Sequence, residues 1–380
     1  MGFNQFNLDQ LTALQEKGFK GIELCPPALG PRTRGLLVLF ESLDFFRKIK
    51  NREFRAKAKG INRFYYGLFF LTNPIFLHFP PLRHYRKTAL QFAAFLDSKY
   101  LQIFTFFFDI SIIPSDFLAS ARKRNSKKTQ ILEIRWHHVG INSDRPERLL
   151  DFPSTPIQRT WEWGEEFSRK ADSYDGFITY SNLARDSFIR AGIAAESIFV
   201  VPIRSKIKGL STISSEQPRE RKILFVGRGE LDKGLDIAVA VSLIAKIPLC
   251  VVGTYSPEIK LWSEGFANVE FLGNIPHEDL LSLMQKLEFY LAPGIESFGY
   301  SCTEALASKM KVIGTKKVGV LEWYGNLPNC FLAEELTVES LNSALQDAIT
   351  SQIPINFQFE EVDPKPYWEK AIDSLLLKKK

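Results

Sequence analysis

From residue 222 onward, short apolar runs alternate with longer stretches in which apolar positions recur every three or four residues. The runs "KILFVG", "PLCVVG", "VEFLG", "EFYLAP" and "KVIGT" are rich in β-branched and aromatic residues and end at Gly or Pro, which predicts buried strands. Helical patterns begin near Lys233, His277, Gly299 and Val338. Strand, helix and strand joined by short Gly/Pro turns imply parallel strands with helices on both faces. The first 200 residues repeat this alternation less cleanly. Strand candidates there are "GIELC", "PIFLHF", "LQIFTFFF", "QILEIRW", "GFITYS" and "SIFVVP", with helical patterns at "LRHYRKTALQFAAFLDSK", "TWEWGEEFSRKADS" and "NLARDSFIRAGI".

The expected architecture is α/β, two doubly wound Rossmann-like domains in tandem. Residues 1–202 form the first and 221–350 the second. The polar, Ser-rich stretch 203–220 reads as the linker, and a tail over 351–380 turns helical from about residue 364. In open parallel sheets ligands sit beyond the carboxyl ends of the strands, so two such domains would face a cleft lined by strand-to-helix turns.

Charge is divided unevenly along this plan. Residues 1–200 carry 29 Lys and Arg against 20 Asp and Glu, a net of +9, while the remainder carries 20 against 23. The overall +6 therefore belongs to the first half, and the halves should meet different partners. Cys25, Cys250, Cys302 and Cys330 form no C-x-x-C pair or Cys/His cluster, so neither a disulfide framework nor a zinc site is expected and a reducing, cytoplasmic setting is. No signal peptide pattern stands at the start. The most apolar runs are broken by Pro or Asp109 before reaching the ~20 residues of a membrane span.

Two stretches carry candidate chemistry. In "FVGRGELDKGLD", residues 225–236, a strand breaks at Gly227, offers Arg228, and presents Lys233 and Gly234 before a helix. In "YLAPGIESFGYSCTEALASKMKVIGT", residues 290–315, a strand ends at Pro293 and a helix begins near Phe298 and Gly299. Glu296 lies just before that helix and Glu304 on it. Exposed N–H groups at a helix start suit a phosphate, although a Glu there is also favoured by the helix dipole alone.

Taken together, "GR" with Lys five residues on, then "P-x-x-E-x-F-G", then "EALA", resembles the retaining family 4 glycosyltransferases of the GT-B fold. The resemblance is densest over 220–325 and includes the pair Glu296 and Glu304, with seven residues between them. It implies that Arg228 and Lys233 hold the diphosphate of a nucleotide-sugar, with Gly227 and the amides near Phe298, Gly299 and Tyr300 completing the cradle. It further implies that Glu304 accepts from the ribose and that Glu296 contacts the transferred sugar. Gly253 belongs to the next turn, and Gly319 and Glu322 in "KVGVLEW" are similar to a later family segment, with one Gly missing. In the first domain the family has a His after a strand near the sugar; "EIRWHHVG" offers His137 and His138, of which His138 is the catalytic candidate. Fixed cations aimed at a departing diphosphate replace a bound metal, so no metal or other cofactor is expected.

Two departures stand out. The helical pattern "LDQLTALQEK" follows so closely on "MGFNQFN" that no room remains for the family's opening strand. Either translation starts further upstream or the domain lacks that strand. Lys309 and Lys311 also replace Gly and Pro, which asks Lys309 to adopt a helix-end geometry usually given to Gly.

The basic runs complete the picture. Residues 47–63 hold eight cations and one acid, followed by "FYYGLFF", and residues 122–128 hold five cations. Solvated faces account for most such runs; beside aromatics they also suit an anionic membrane surface, here through 47–70 and 122–128. No nucleic-acid module is recognisable. The expected protein is a metal-independent retaining glycosyltransferase, peripheral at the inner face of the plasma membrane. Its acceptor would be a cell-surface glycan or lipid-linked saccharide, as in polysaccharide or lipopolysaccharide synthesis. The alternatives are a non-catalytic nucleotide-sugar-binding partner subunit and a nucleotide-sugar epimerase on the same fold.

Overall fold

A computed structural model describes residues 149–153, 171–204, 218–352 and 357–377, together with the backbone of four earlier strands. Those strands are β1 (Ile22–Cys25), β2 (Asn62–Tyr65), β3 (Ile110–Pro114) and β4 (Thr129–Glu133). β1 pairs with β2 in parallel, and β3 with β4. Next come β5 (Gly176–Thr179), α1 (Asn182–Arg190) and β6 (Ile198–Val200), which complete a four-stranded sheet of order β3-β4-β5-β6.

The later part holds β7 (Glu220–Val226), α2 (Leu235–Ala245), β8 (Leu249–Val252), α3 (Pro257–Ser263), β9 (Val269–Gly273), α4 (His277–Lys286) and β10 (Leu287–Ala292). It continues through α5 (Tyr300–Ala307), β11 (Lys311–Gly314), the short α6 (Leu321–Tyr324), β12 (Cys330–Leu332), α7 (Val338–Thr350) and α8 (Lys365–Leu377). Its six strands are all parallel, in the order β12-β11-β10-β7-β8-β9. The sheet winds outward one way from β7 and the other way from β10. Its topological switch point therefore lies between those two strands, where ligands of such sheets bind.

Contacts divide the chain into two units, one of 1–133, 166–177 and 365–380, the other of 134–165 and 178–364; the division passes through β5. The six-stranded sheet, α1 and β6 belong to the second unit. Of the expected linker, 205–217 lie outside the described residues, as do most of the basic runs. Among the described residues no helix is long and apolar enough to cross a membrane.

The core of the second unit follows from the two periodicities. Ile223, Phe225, Leu249, Val251, Phe289, Leu291 and Ile313 are fully or almost fully buried sheet positions. Each such side chain contributes roughly 1.5–3 kcal/mol by leaving water. α2 packs into this core against β7, β8 and α7, burying Leu235, Ile237, Val239 and Val241 while Leu243 and Ile244 at its end stay exposed.

Helix ends show where the sequence departs from ordinary chemistry. α1 closes on Gly192 at φ 94, with Gly192 N–H donating to Ile189 and Ile193 N–H to Phe188. α5 closes the same way on Lys309, at φ 59, with Lys309 N–H donating to Leu306 and Met310 N–H to Ala305. Lys309 thus takes the left-handed geometry expected of it. A Cβ in that region costs about 1–2 kcal/mol, against about 0.4–1 kcal/mol for the extra freedom of an unfolded Gly. Lys309→Gly should therefore stabilise the protein by about 0.5–1 kcal/mol, read as a higher thermal midpoint.

Candidate functional site

The carboxyl ends of β7, β8, β9 and β10 lie on one edge, and their loops are laced together by the backbone. Gly227 N–H donates to Val252 O, Gly229 N–H to Thr254 O, and Gly253 N–H to Gly273 O, each at 2.8–2.9 Å. Gly253 sits at φ 143, and a Cβ there would run into the Gly227 carbonyl, so the first two loops touch only because side chains are absent. Thr254 and Asn274 join the second and third loops by a hydroxyl donating to Oδ1 at 3.2 Å and an amide donating back at 3.1 Å.

After Gly229 the chain makes one tight turn, Leu231–Lys233, and enters α2 through Gly234 in the left-handed region. A Cβ on Gly234 would strike the Pro293 carbonyl. Ile295 N–H donates to Asp232 O at 2.9 Å, so the loop after β7 lies directly on the loop after β10. Across that seam Lys233 Nζ stands 3.3 Å from Glu296 Oε2, both side chains partly exposed. Two residues far apart in sequence meet at the switch point as a charge pair.

Arg228 takes another direction. It is 54% exposed, with Nη2 at 2.9 Å from Glu230 and 3.8 Å from Asp232. Burial pushes the Glu230 carboxyl above its ordinary range, with Arg228 acting against that shift and Asp232 adding to it. A guanidinium held by two acids of its own loop keeps a fixed direction and an exposed face.

Glu296 is pinned by its backbone, donating to Lys317 O and accepting from Gly319 N–H, both at 2.9 Å. Phe298 is buried, packed edge-on against Tyr300 at 5.2 Å and Tyr180 at 6.4 Å. Gly299, at φ 105, caps α5, whose first turn begins at the half-exposed Tyr300. Ser301 Oγ lies 2.8 Å from the buried Tyr290 hydroxyl, fixing that turn to β10. One turn along α5, Glu304 Oε1 meets His277 Nε2 at 2.8 Å.

The later candidates link the Glu296 loop to α1 within the same unit. Gly319 lies between Ser297 and Ser181, where a Cβ would strike both. Glu322 receives Asn182 N–H at 2.6 Å and Leu183 N–H at 2.7 Å, capping α1 alongside the Ser181 hydroxyl. Burial pushes its carboxyl up, and those two amides act against the shift. Trp323 Nε1–H donates to Tyr180 O at 3.2 Å, so this segment anchors the start of α1.

The structure thus gathers Gly227, Arg228, Lys233, Gly253, Glu296, Phe298, Gly299, Tyr300 and Glu304 on one sheet edge, while Gly319 and Glu322 meet α1. His137 and His138 lie outside the described residues. Sequence reasoning passed over His277, and over Glu230 and Asp232 as partners of Arg228. The acids were within reach of a local argument, standing two and four positions after the cation. Among the described residues no group of three or more His, Cys, Asp or Glu is placed to hold a metal ion.

Residues 210–361, which contain this edge, match the family model of glycosyl transferases group 1. They form a group 1 glycosyl transferase domain. No curated protein sequence matches the chain significantly. Among solved structures it is similar to a TarM mutant from S. aureus in complex with fondaparinux, alpha-GlcNAc-glycerol and UDP, at 16% identity and a TM-score of 0.51. That likeness covers 76% of this chain and 56% of TarM, so the chain spans little more than half of TarM's length. HepE from Anabaena in complex with UDP is similar at 13% identity and a TM-score of 0.51, over 94% of this chain and 95% of its own. A glycosyltransferase from Rickettsia africae is similar at 14% and 0.51, over 99% and 90%. These likenesses concern the fold alone, the parallel-sheet α/β fold of GT-B glycosyltransferases.

Proposed function

We propose that the chain transfers a sugar from a nucleotide-sugar to a glycan or lipid-linked saccharide, with retention at the anomeric carbon. One observation carries this reading: Lys233, following β7, and Glu296, following β10, converge to 3.3 Å at the switch point, beside the amino end of α5. A nucleotide-sugar needs phosphate and sugar recognised at adjacent places, and this arrangement offers a cation for one and a carboxylate for the other. Lys233 and Arg228 take the diphosphate, whose charge grows as the sugar leaves. First-turn amides of α5, which have no intrahelical acceptor, take the remaining phosphate oxygens. Glu296 accepts from sugar hydroxyls and Glu304 from the ribose. Charge compensation then comes from side chains, and the reading calls for no divalent cation. The similar structures of TarM and HepE are complexes with UDP, which supports a nucleoside diphosphate leaving group without fixing the base here.

The basic segments 47–70 and 122–128 suit an acceptor presented at an anionic membrane surface. A thermal-shift panel of nucleotide-sugars tests the donor assignment, since a ligand at 100 times its dissociation constant stabilises by ~2.7 kcal/mol. One donor should shift the midpoint, and NMR of the product formed from it should show the donor's anomeric configuration. An inverted product would remove the retaining mechanism; a flat panel would remove the donor site.

A further inference from the structure

The contact between His277 and Glu304 has no place in the roles above. His277 is the first residue of α4, entered through Pro276 from the edge strand β9, whereas Glu304 stands on α5 after β10. In the sheet, β7 and β8 separate those strands, so the 2.8 Å contact links opposite ends of the nucleotide-facing edge. An ionised carboxylate only accepts, so Nε2 carries the proton and donates to Oε1. Oε1 is thereby engaged, and Oε2 is the Glu304 oxygen left for another donor. The backbone from which the imidazole projects is held in place: the Thr254–Asn274 pair and the Gly253–Gly273 hydrogen bond lock the loop from which α4 starts. His277 is 37% exposed and Glu304 only 17%, which puts the imidazole at the rim and the carboxylate beneath it.

We infer that His277 is a positioning residue that orients the Glu304 carboxylate toward the ribose hydroxyls, so that the site selects a ribonucleoside diphosphate. This rests on the reading that Glu304 faces the ribose. A carboxylate on a flexible stem can turn both oxygens away from a diol, and a fixed donor on one oxygen removes that freedom. The cost of losing the donor falls only on ligands that have hydroxyls to offer.

The test is calorimetry of UDP, GDP, ADP and CDP with the full chain, followed by the 2′,3′-dideoxy counterpart of whichever binds most tightly. His277→Ala should weaken the ribonucleotide about five- to tenfold and leave the dideoxy nucleotide unchanged. Glu304→Ala should show the same selectivity, the double variant should lose little more than Glu304→Ala alone, and His277→Gln, whose amide donates from a similar place, should recover most of the loss. If Glu304→Ala weakens the ribonucleotide and His277→Ala does not, the positioning role is wrong while the ribose assignment stands. Equal weakening of both nucleotides by His277→Ala would make the contact structural and overturn the inference. Binding of none of the four diphosphates, or full ribonucleotide affinity in Glu304→Ala, would overturn the donor-site reading itself.

Discussion

Lys233→Ala should lower turnover about 100-fold while moving thermal stability by less than about 1 kcal/mol. The stability half follows from location. Lys233 ends a one-turn segment before Gly234, and its ammonium meets Glu296 in a partly solvated pair, not in the core. Such pairs contribute little to folding because screening and side-chain ordering offset the attraction. The turnover half follows from charge development. Negative charge on the departing diphosphate is larger in the transition state than in the bound donor, so a fixed ammonium aimed at it acts mainly on kcat. Steady-state kinetics with the cognate donor and a melting curve separate the two effects. A folded Lys233→Ala protein with parental turnover would mean that the diphosphate lies elsewhere.

Glu296→Gln is expected to lower kcat by roughly 10- to 100-fold, with binding of the free nucleoside diphosphate equal to the parent's or tighter. The asymmetry comes from the 3.3 Å contact with Lys233. An amide at position 296 can no longer accept sugar hydroxyls as strongly as a carboxylate, which costs transition-state binding. The same change removes a negative charge beside Lys233, so the ammonium acts undiminished on a phosphate. Turnover should thus fall with no loss of nucleotide affinity, which loss of structure would not produce. Calorimetry with the free diphosphate reads the second quantity directly.

How much of this site the sequence disclosed depended on the range of the interaction. α4 and α7 begin at His277 and Val338, where they were expected, because Pro276 and the Thr337 hydroxyl, which accepts Ser340 N–H, punctuate the chain locally. The Lys309 geometry was also legible, since helix termination depends on a few consecutive residues. β12 was missed: three residues leave no room for a period-two pattern. The Arg228, Lys233, Glu296 and Glu304 positions could be read as pieces, but their pairing could not. Lys233 meets Glu296 only because β7 and β10 are neighbours in a sheet whose order is not its order in sequence. His277 was read as a plain helix start for the same reason, its partner lying across the sheet beyond β7 and β8. Glu322 illustrates the converse. It became a candidate through the similarity of "KVGVLEW" to a later family segment, and the structure sets its carboxylate on the amino end of α1, a contact that no local pattern announces.

The central claim is that the β7/β10 switch point binds a nucleoside diphosphate through Arg228 and Lys233. The most direct measurement is the affinity of the parent and of the Arg228→Ala/Lys233→Ala double variant for the four ribonucleoside diphosphates, at one ionic strength. The parent should bind at least one of them, and the double variant, still folded by its melting curve, should lose that affinity by 100-fold or more at about 1.4 kcal/mol per tenfold. Retention of the parental affinity by the folded double variant would contradict the account.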